Sequence, residues 1–241
     1  MDTEESTTPR DAGNWAKPVE KLAVSEMPEG ALSMNVEGRR VVSPIQGFGK
    51  MWQKTYKITL AGSEASPEEV IAGWKEHFPT FWPPGNVFYA PLTGIAPGEV
   101  ALLQAAVPGG LKLSTGVLVL YADEESFTFM TPQGHMFAGW ITFSSHRENG
   151  ATVAQAQILM RAQDPLTEVG LSLGGHKKED EFWQHTLRSL ARHFGVEAEP
   201  ETQIVCVDRK RQWRRAGNVW HSAAIRSGLY MATKPLRRRK A

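Results

Sequence analysis

GGHKKEDEFWQHTLRSLARHFG, residues 174–195, carries the strongest helical pattern in the chain. Phe182, Trp183, Leu187, Leu190, Ala191 and Phe194 recur at intervals of three and four, which gathers them on one side of a helix. Glu179, Asp180 and Glu181 stand at its start, Arg188, Arg192 and His193 toward its end, and Gly195 at its stop, an order that suits the helix dipole and a C-terminal cap. The spacing predicts a helix over 178–194. A helix with one apolar side needs a surface to cover.

That surface lies upstream. Runs rich in β-formers at 87–90, 99–107, 116–121, 126–131, 137–144 and 152–162 are separated by turn formers: Pro108-Gly109-Gly110, Asp123-Glu124-Glu125, Pro132-Gln133-Gly134 and Glu148-Asn149-Gly150. Short turns of this kind join antiparallel neighbours, so the runs read as a meander. Val117, Leu118, Val119 and Leu120 are apolar on both parities, which predicts a sheet covered on both faces. Before the meander, Trp52, Tyr56, Ile58 and Leu60 share one parity while Gln53, Thr55, Lys57 and Thr59 hold the other, the period of a strand. Ser66-Pro67-Glu68-Glu69 then starts a helix through Val70, Ile71, Trp74 and Phe78, and Pro79 with Pro83-Pro84-Gly85-Asn86 ends it.

Strand, helix, about six antiparallel strands and one long closing helix is the order of the helix-grip proteins. Over residues 46–196 the chain resembles the START-like (SRPBCC, polyketide cyclase-like) superfamily, in this element order and in GFGKMWQKTY (47–56), HFPTFWPPGN (77–86), TPQGHMFAGWITF (131–143) and residues 174–195. The fold class expected is α+β, a curved antiparallel sheet of about six or seven strands gripping the helix near residue 194. The resemblance implies a cavity between sheet and helix that takes lipids, hormones or aromatic polyketides. Residues 1–45, with scattered prolines and charge, read as a poorly structured N-terminal arm, to which 32–42 adds at most a short edge hairpin. Residues 197–241 form a basic, part-helical C-terminal extension.

Such a cavity is mostly apolar, with a few polar groups that orient the ligand. Candidate ligand-binding residues are Trp52, Tyr56, Trp82, Phe88, Met130, Met136, Trp140, Met160 and Trp183, with Gln104 and Gln155 as polar handles. Their ordinary alternative is a place in the core. Gly134-His135 and Gly174-Gly175-His176 each set an imidazole beside pliant backbone, so His135 or His176 is the candidate general acid or base. The plain alternatives are a hairpin tip and a helix start.

Other chemistry finds little footing. Seven histidines show neither HExxH nor a helical i, i+4 pair, so no metal is expected, and a single cysteine, Cys206, leaves no multi-cysteine site. GxSxG, GxxxxGK[ST] and GxGxxG do not occur, and no cofactor is expected. No apolar run approaches the roughly 20 residues of a membrane span, and the acidic, polar start MDTEESTTPRDAG has no signal-like apolar segment; a cytoplasmic protein is expected.

The net charge of +1 conceals a polarised chain: residues 197–241 hold eleven Lys and Arg against four Asp and Glu, and residues 1–196 hold sixteen against twenty-two. RKRQWRR (209–215) precedes Trp213, Ala216, Trp220, Ala223, Ala224 and Ser227 at helical spacing, and PLRRRK occupies 235–240. Arg209, Lys210, Arg211, Arg214 and Arg215 are therefore candidate anion contacts, toward a membrane surface or a nucleic acid. The competing expectation is that the Trp stripe docks on the acidic domain of its own chain. Functionally, binding of a hydrophobic or amphipathic small molecule leads, with a cofactor-free cyclase or dehydratase, or an adaptor working through 209–240, as alternatives.

Overall fold

The computed structural model describes residues 11–25, 27–107 and 111–238. Its frame is an eight-stranded, wholly antiparallel curved sheet in the order β2-β3-β4-β5-β6-β7-β1-β8. The strands are β1 (Met51–Leu60), β2 (Val87–Tyr89), β3 (Val100–Val107), β4 (Leu111–Ala122), β5 (Ser126–Met130), β6 (Phe137–Glu148), β7 (Ala151–Ala162) and β8 (Glu201–Asp208). The helices are α1 (Pro67–His77), α2 (Pro165–Gly170), α3 (His176–His193) and α4 (Ala223–Arg238), with a 3-10 helix over Trp213–His221. A long helix gripped by a curved sheet is the helix-grip, START-like fold.

Local sequence sets the ends. At α1 the Ser66 hydroxyl accepts from the Glu69 N–H at 3.2 Å and the Glu69 carboxylate accepts from the Ser66 N–H at 2.7 Å, a reciprocal cap with Pro67 at the first helical position. α1 buries Val70, Ile71 and Trp74 on the inner face of the sheet, where the C-terminal half of α3 adds Leu187, Leu190 and Ala191. Between them sits an aromatic cluster: Trp74 lies 5.0 Å from Phe143, Phe78 5.1 Å from Phe143, and Phe127 4.7 Å from Phe143. These edge and stacked geometries add to the burial of the rings.

Two irregularities mark the sheet. The β4–β5 register shifts between Val119 and Tyr121, so Val119 faces inward while Tyr121 meets Trp15 on the outer face, ring centres 4.7 Å apart. In β6, Gly139 adopts φ +155°, and a Cβ there would stand 2.1 Å from the Leu159 carbonyl oxygen. Only glycine fits at this position, which faces Met160 of β7 in an unbroken ladder.

The outer face is covered too. Leu22, Ala31 and Val36 are buried against Leu102 and Leu118. The described part of the N-terminal arm, 11–25 and 27–45, lies along this face, held by those three side chains while most of 11–25 is exposed. It shows no period because its backbone follows the sheet through turns and isolated bridges (Trp15 to Tyr121, Val41 to Pro132). No hairpin forms over 32–42; a turn through Ser33 and Gly38 takes its place.

The extension differs from a free basic helix. β8 lies on β1 as an edge strand, and α4 crosses the outer face, where the Ser227 hydroxyl accepts from the Ser114 N–H at 3.2 Å and the Asn35 side chain donates to that hydroxyl at 3.1 Å. Trp213 and Trp220 are not the docking stripe: they are 73% and 83% exposed. The Pro108-Gly109-Gly110 turn, residues 1–10 and residues 239–241 lie outside the described residues, as do the side chains of 234–238.

Candidate functional site

The inner face is filled only in part. Where the N-terminal half of α3 approaches β3 to β7, a cavity of about 520 Å³ remains, within the range of small-molecule sites. Its walls include Phe78, Phe88, Leu103, Val117, Phe129, Ile141, Ile158 and Met160 from the core side, and Lys178, Glu179, Phe182 and Trp183 from α3. Strand parity explains the set. Leu103, Val117, Phe129 and Ile141 are inward odd positions, and Ile158 and Met160 are inward even positions of β7, aligned by the pairs Ile141–Ile158 and Phe129–Ile141.

α3 does not enter the sheet directly. Asp164 caps α2, its carboxylate accepting from the Thr167 N–H at 2.8 Å; a π-helical turn over Leu171–Gly175 follows, with Leu173 and Gly174 out of helical geometry. Leu166 and Leu173 from this segment and Ala224 from α4 line the cavity and are exposed, so they mark its mouth.

Among the sequence candidates, Trp82, Phe88, His135, Met136, Trp140, Met160 and Trp183 border this cavity, Trp140 next to Gly139. Gln104, Met130 and Gln155 do not, because they occupy the outward parity. Gln104 donates to the Gly30 carbonyl at 3.4 Å and lines a separate groove of about 120 Å³ beneath α4; Met130 is paired with Leu118 and Trp140, and Gln155 with Lys57 and Ser144. Trp52 and Tyr56 have inward parity but stand apart from the cavity: Trp52 packs edge-on to His176 at 5.1 Å, and Tyr56 is fully buried.

The two histidines occupy different places, and only His135 borders the cavity. His135 is buried on the β5–β6 turn, where its Nδ1 accepts from the Phe137 N–H at 3.0 Å. The Phe137 carbonyl oxygen lies 3.2 Å from the same nitrogen and accepts from the ring when it is protonated. Burial pushes the ring's pKa down to about 4, so it is neutral at physiological pH and does not have the poise near neutrality that acid/base work requires. The turn is clamped: the Gly134 carbonyl accepts from the Ala223 N–H at 2.8 Å, and at φ +94° a Cβ on Gly134 would lie 2.2 Å from the His221 carbonyl oxygen. His176 opens α3 instead, its Nδ1 3.8 Å from a Glu179 carboxylate oxygen and outside the cavity wall.

A feature absent from the sequence expectations is a buried ionic cluster. Lys54 is 1% exposed and donates to Glu179 at 2.9 Å and Asp180 at 2.6 Å, while the Tyr56 hydroxyl donates to the same Asp180 oxygen at 2.6 Å. Burial, with the nearby Glu179 and Asp180 carboxylates, holds the Tyr56 phenol far above its usual range, so it is a neutral donor. The cluster ties the first turns of α3 to β1, and Glu179 carries it to the cavity wall. The signal was present: Lys54 sits on the parity of Trp52, Tyr56, Ile58 and Leu60, a cation interrupting an apolar row.

Of the basic candidates, Arg211 is engaged, donating to the buried Glu168 at 2.9 Å. Arg209, Lys210, Arg214 and Arg215 are exposed; Lys210 faces Asp208, and the three arginines form no ion pair among the described residues. Among the described residues, no helix is long and apolar enough to cross a membrane.

No family model matches the chain, and no curated protein does. Among solved structures it is similar to Ara h 8.0201 (12% identity, TM-score 0.43, 60% of this chain and 97% of that one). It is also similar to a START superfamily protein from Mycobacterium smegmatis (18% identity, TM-score 0.39, 61% and 98%). A third is the di-domain ARO/CYC StfQ from the steffimycin biosynthetic pathway (12% identity, TM-score 0.44, 61% and 53%).

Proposed function

We propose that the protein binds a hydrophobic or amphipathic small molecule between its sheet and the N-terminal half of α3. The observation that carries this reading is the hollow itself: about 520 Å³ walled by aromatic, Met and aliphatic side chains, with Thr131, His135 and Glu179 as sparse polar groups. An apolar ligand entering it removes apolar surface from water on both partners, at about 25 cal/mol per Å² of area before the costs of association are met. A cyclase or dehydratase on the same scaffold requires a group ready to exchange protons near neutrality. His135, held neutral by burial, does not favour that reading over plain binding.

The test is titration with N-phenyl-1-naphthylamine, a neutral apolar dye whose emission rises in a dry site. Saturable binding is expected in the wild-type protein, with displacement by long-chain alcohols or fatty acids, and loss of binding in Ile141→Trp, which fills the hollow from its floor. Non-saturable dye uptake, or saturable uptake indifferent to Ile141→Trp, overturns the reading.

A further inference from the structure

We propose that the rim of the cavity mouth is a docking surface for an anionic phospholipid bilayer. The surface is assembled by contacts already in the fold. The 3-10 helix Trp213–His221 is fixed to the end of β7 by Asn218, whose amide donates to the Gln163 carbonyl at 2.8 Å and the Gln46 carbonyl at 2.9 Å. The bond from Arg211 to Glu168 holds the residues just before it against α2. The bond between Ala223 and Gly134 then delivers α4 to the mouth, where Ala224 lines the cavity beside Leu166 and Leu173.

This assembly exposes large apolar side chains that a chain in water gains nothing by exposing. Trp220, Leu173 and Trp213 are 83%, 82% and 73% exposed, and Leu166, Val169 and Leu229 join them. Leu166 and Leu173 share the mouth with Ala224, and α2 touches the 3-10 helix that carries both tryptophans; exposure grouped in this way marks an interaction surface, whereas scattered single residues do not. Cations accompany it: Arg209, Arg214 and Arg215 form no ion pair among the described residues, Lys210 faces Asp208, and Lys177, paired with Glu181, and Lys178 are exposed at the start of α3. The acidic groups nearest them are engaged, Asp208 by Arg161 and Glu168 by Arg211. Glu197, Glu199 and Glu201 lie toward the other end of β8, which runs from Lys57 of β1 to Met51.

The mixture decides between anionic partners. Leu166, Val169 and Leu173 offer nothing to phosphates or base edges, while tryptophan with aliphatic groups and an arginine fringe suits the headgroup boundary of a bilayer. Attraction of several arginines to an anionic leaflet then adds to the apolar insertion. Docking in this orientation sets the cavity mouth against the lipid, so a ligand passes between membrane and cavity without crossing water; that consequence, unlike docking itself, rests on the cavity binding a ligand.

Co-sedimentation of the full chain with phosphatidylcholine vesicles, with and without about 30% phosphatidylserine, tests the surface. Binding about tenfold or more tighter to the anionic vesicles is expected, weakening with added salt. Arg214→Glu with Arg215→Glu should lower it by at least about tenfold. Trp213→Ser with Trp220→Ser should lower it several-fold on both vesicle types and leave the salt dependence in place. All four positions are exposed, and unchanged circular dichroism and dye titration of each variant confirm the fold independently of vesicle binding. Absence of vesicle binding, binding that neither double variant changes, or tight binding to a single-stranded oligonucleotide with the vesicles ignored, each overturns the proposal. Failed dye binding with intact vesicle binding would remove the ligand reading and leave the docking surface standing.

Discussion

The two halves of α3 meet the same sheet and solve opposite problems. Its C-terminal half packs Leu187, Leu190 and Ala191 into one core with Trp74, Phe127 and Phe143. Its N-terminal half stands over Gly139, Ile141 and Ile158 and leaves the cavity. The difference is one of side-chain supply. α1 and the 3-10 turn behind it insert Trp74 and Phe78 beneath one half, whereas the other half is approached by the α2 and π-turn segment, whose Leu166 and Leu173 point outward at the mouth. One half provides stability; the other gives up packing for space.

β6 offers the sharpest way to break that contrast, because Phe143 and Ile141 are two residues apart on one strand and one face. Phe143→Ala in the solid half should cost about 3–5 kcal/mol, transfer and cavity terms together. Ile141→Ala in the hollow half enlarges an existing space and should cost only about 1–2 kcal/mol. Urea denaturation of both variants decides: equal costs would mean that the hollow half is packed in solution.

The ionic cluster marks the boundary between the halves. Lys54→Met removes the one cation that faces Glu179 and Asp180 among the described residues and should cost about 3–5 kcal/mol, since it strands buried carboxylates. Adding Glu179→Gln and Asp180→Asn should recover most of the loss, because neutral amides need no counter-charge. A cost below about 1 kcal/mol for Lys54→Met alone would show that the first turns of α3 are wet and loosely held.

How far these features were legible follows from what each depends on. The order of elements rests on local periodicity and turn chemistry, so α1 with its Ser66–Glu69 cap, the meander and the closing helix could be read from residue spacing alone. Inward parity is also local, but residue type does not carry it: Gln104, Met130 and Gln155 suit a pocket by their chemistry and lie on the outward phase of their strands. β8 was missed because Ile204, Val205 and Val207 have β-forming side chains but no alternation, and only the exposed edge of β1 makes them a strand. The Lys54 cluster joins residues about 125 positions apart, and the packing of Trp15 on Tyr121 joins two elements with no shared local pattern. Such pairings are decided by topology; sequence could supply only the anomaly of a lysine in an apolar row.

The hollow half also has a titration signature. His135 is buried on the cavity wall with its ordinary value of 6.5 pushed down to about 4 by loss of hydration, partly offset by its bond to Phe137. Between those values the unfolded chain binds a proton that the folded chain refuses, so stability increases with pH across the window. The neutral ring's contribution is complete above about pH 6.5 and disappears as pH falls to about 4, a loss of about 3 kcal/mol at most. His135→Asn keeps a polar side chain on the turn and removes the titration, so its denaturation midpoint should fall less steeply over the same window, with wild type and variant converging toward pH 4. Parallel curves for the two proteins would mean that water reaches the ring freely; the cavity would then be an open cleft, and the contrast between the halves of α3 would lose its dry side.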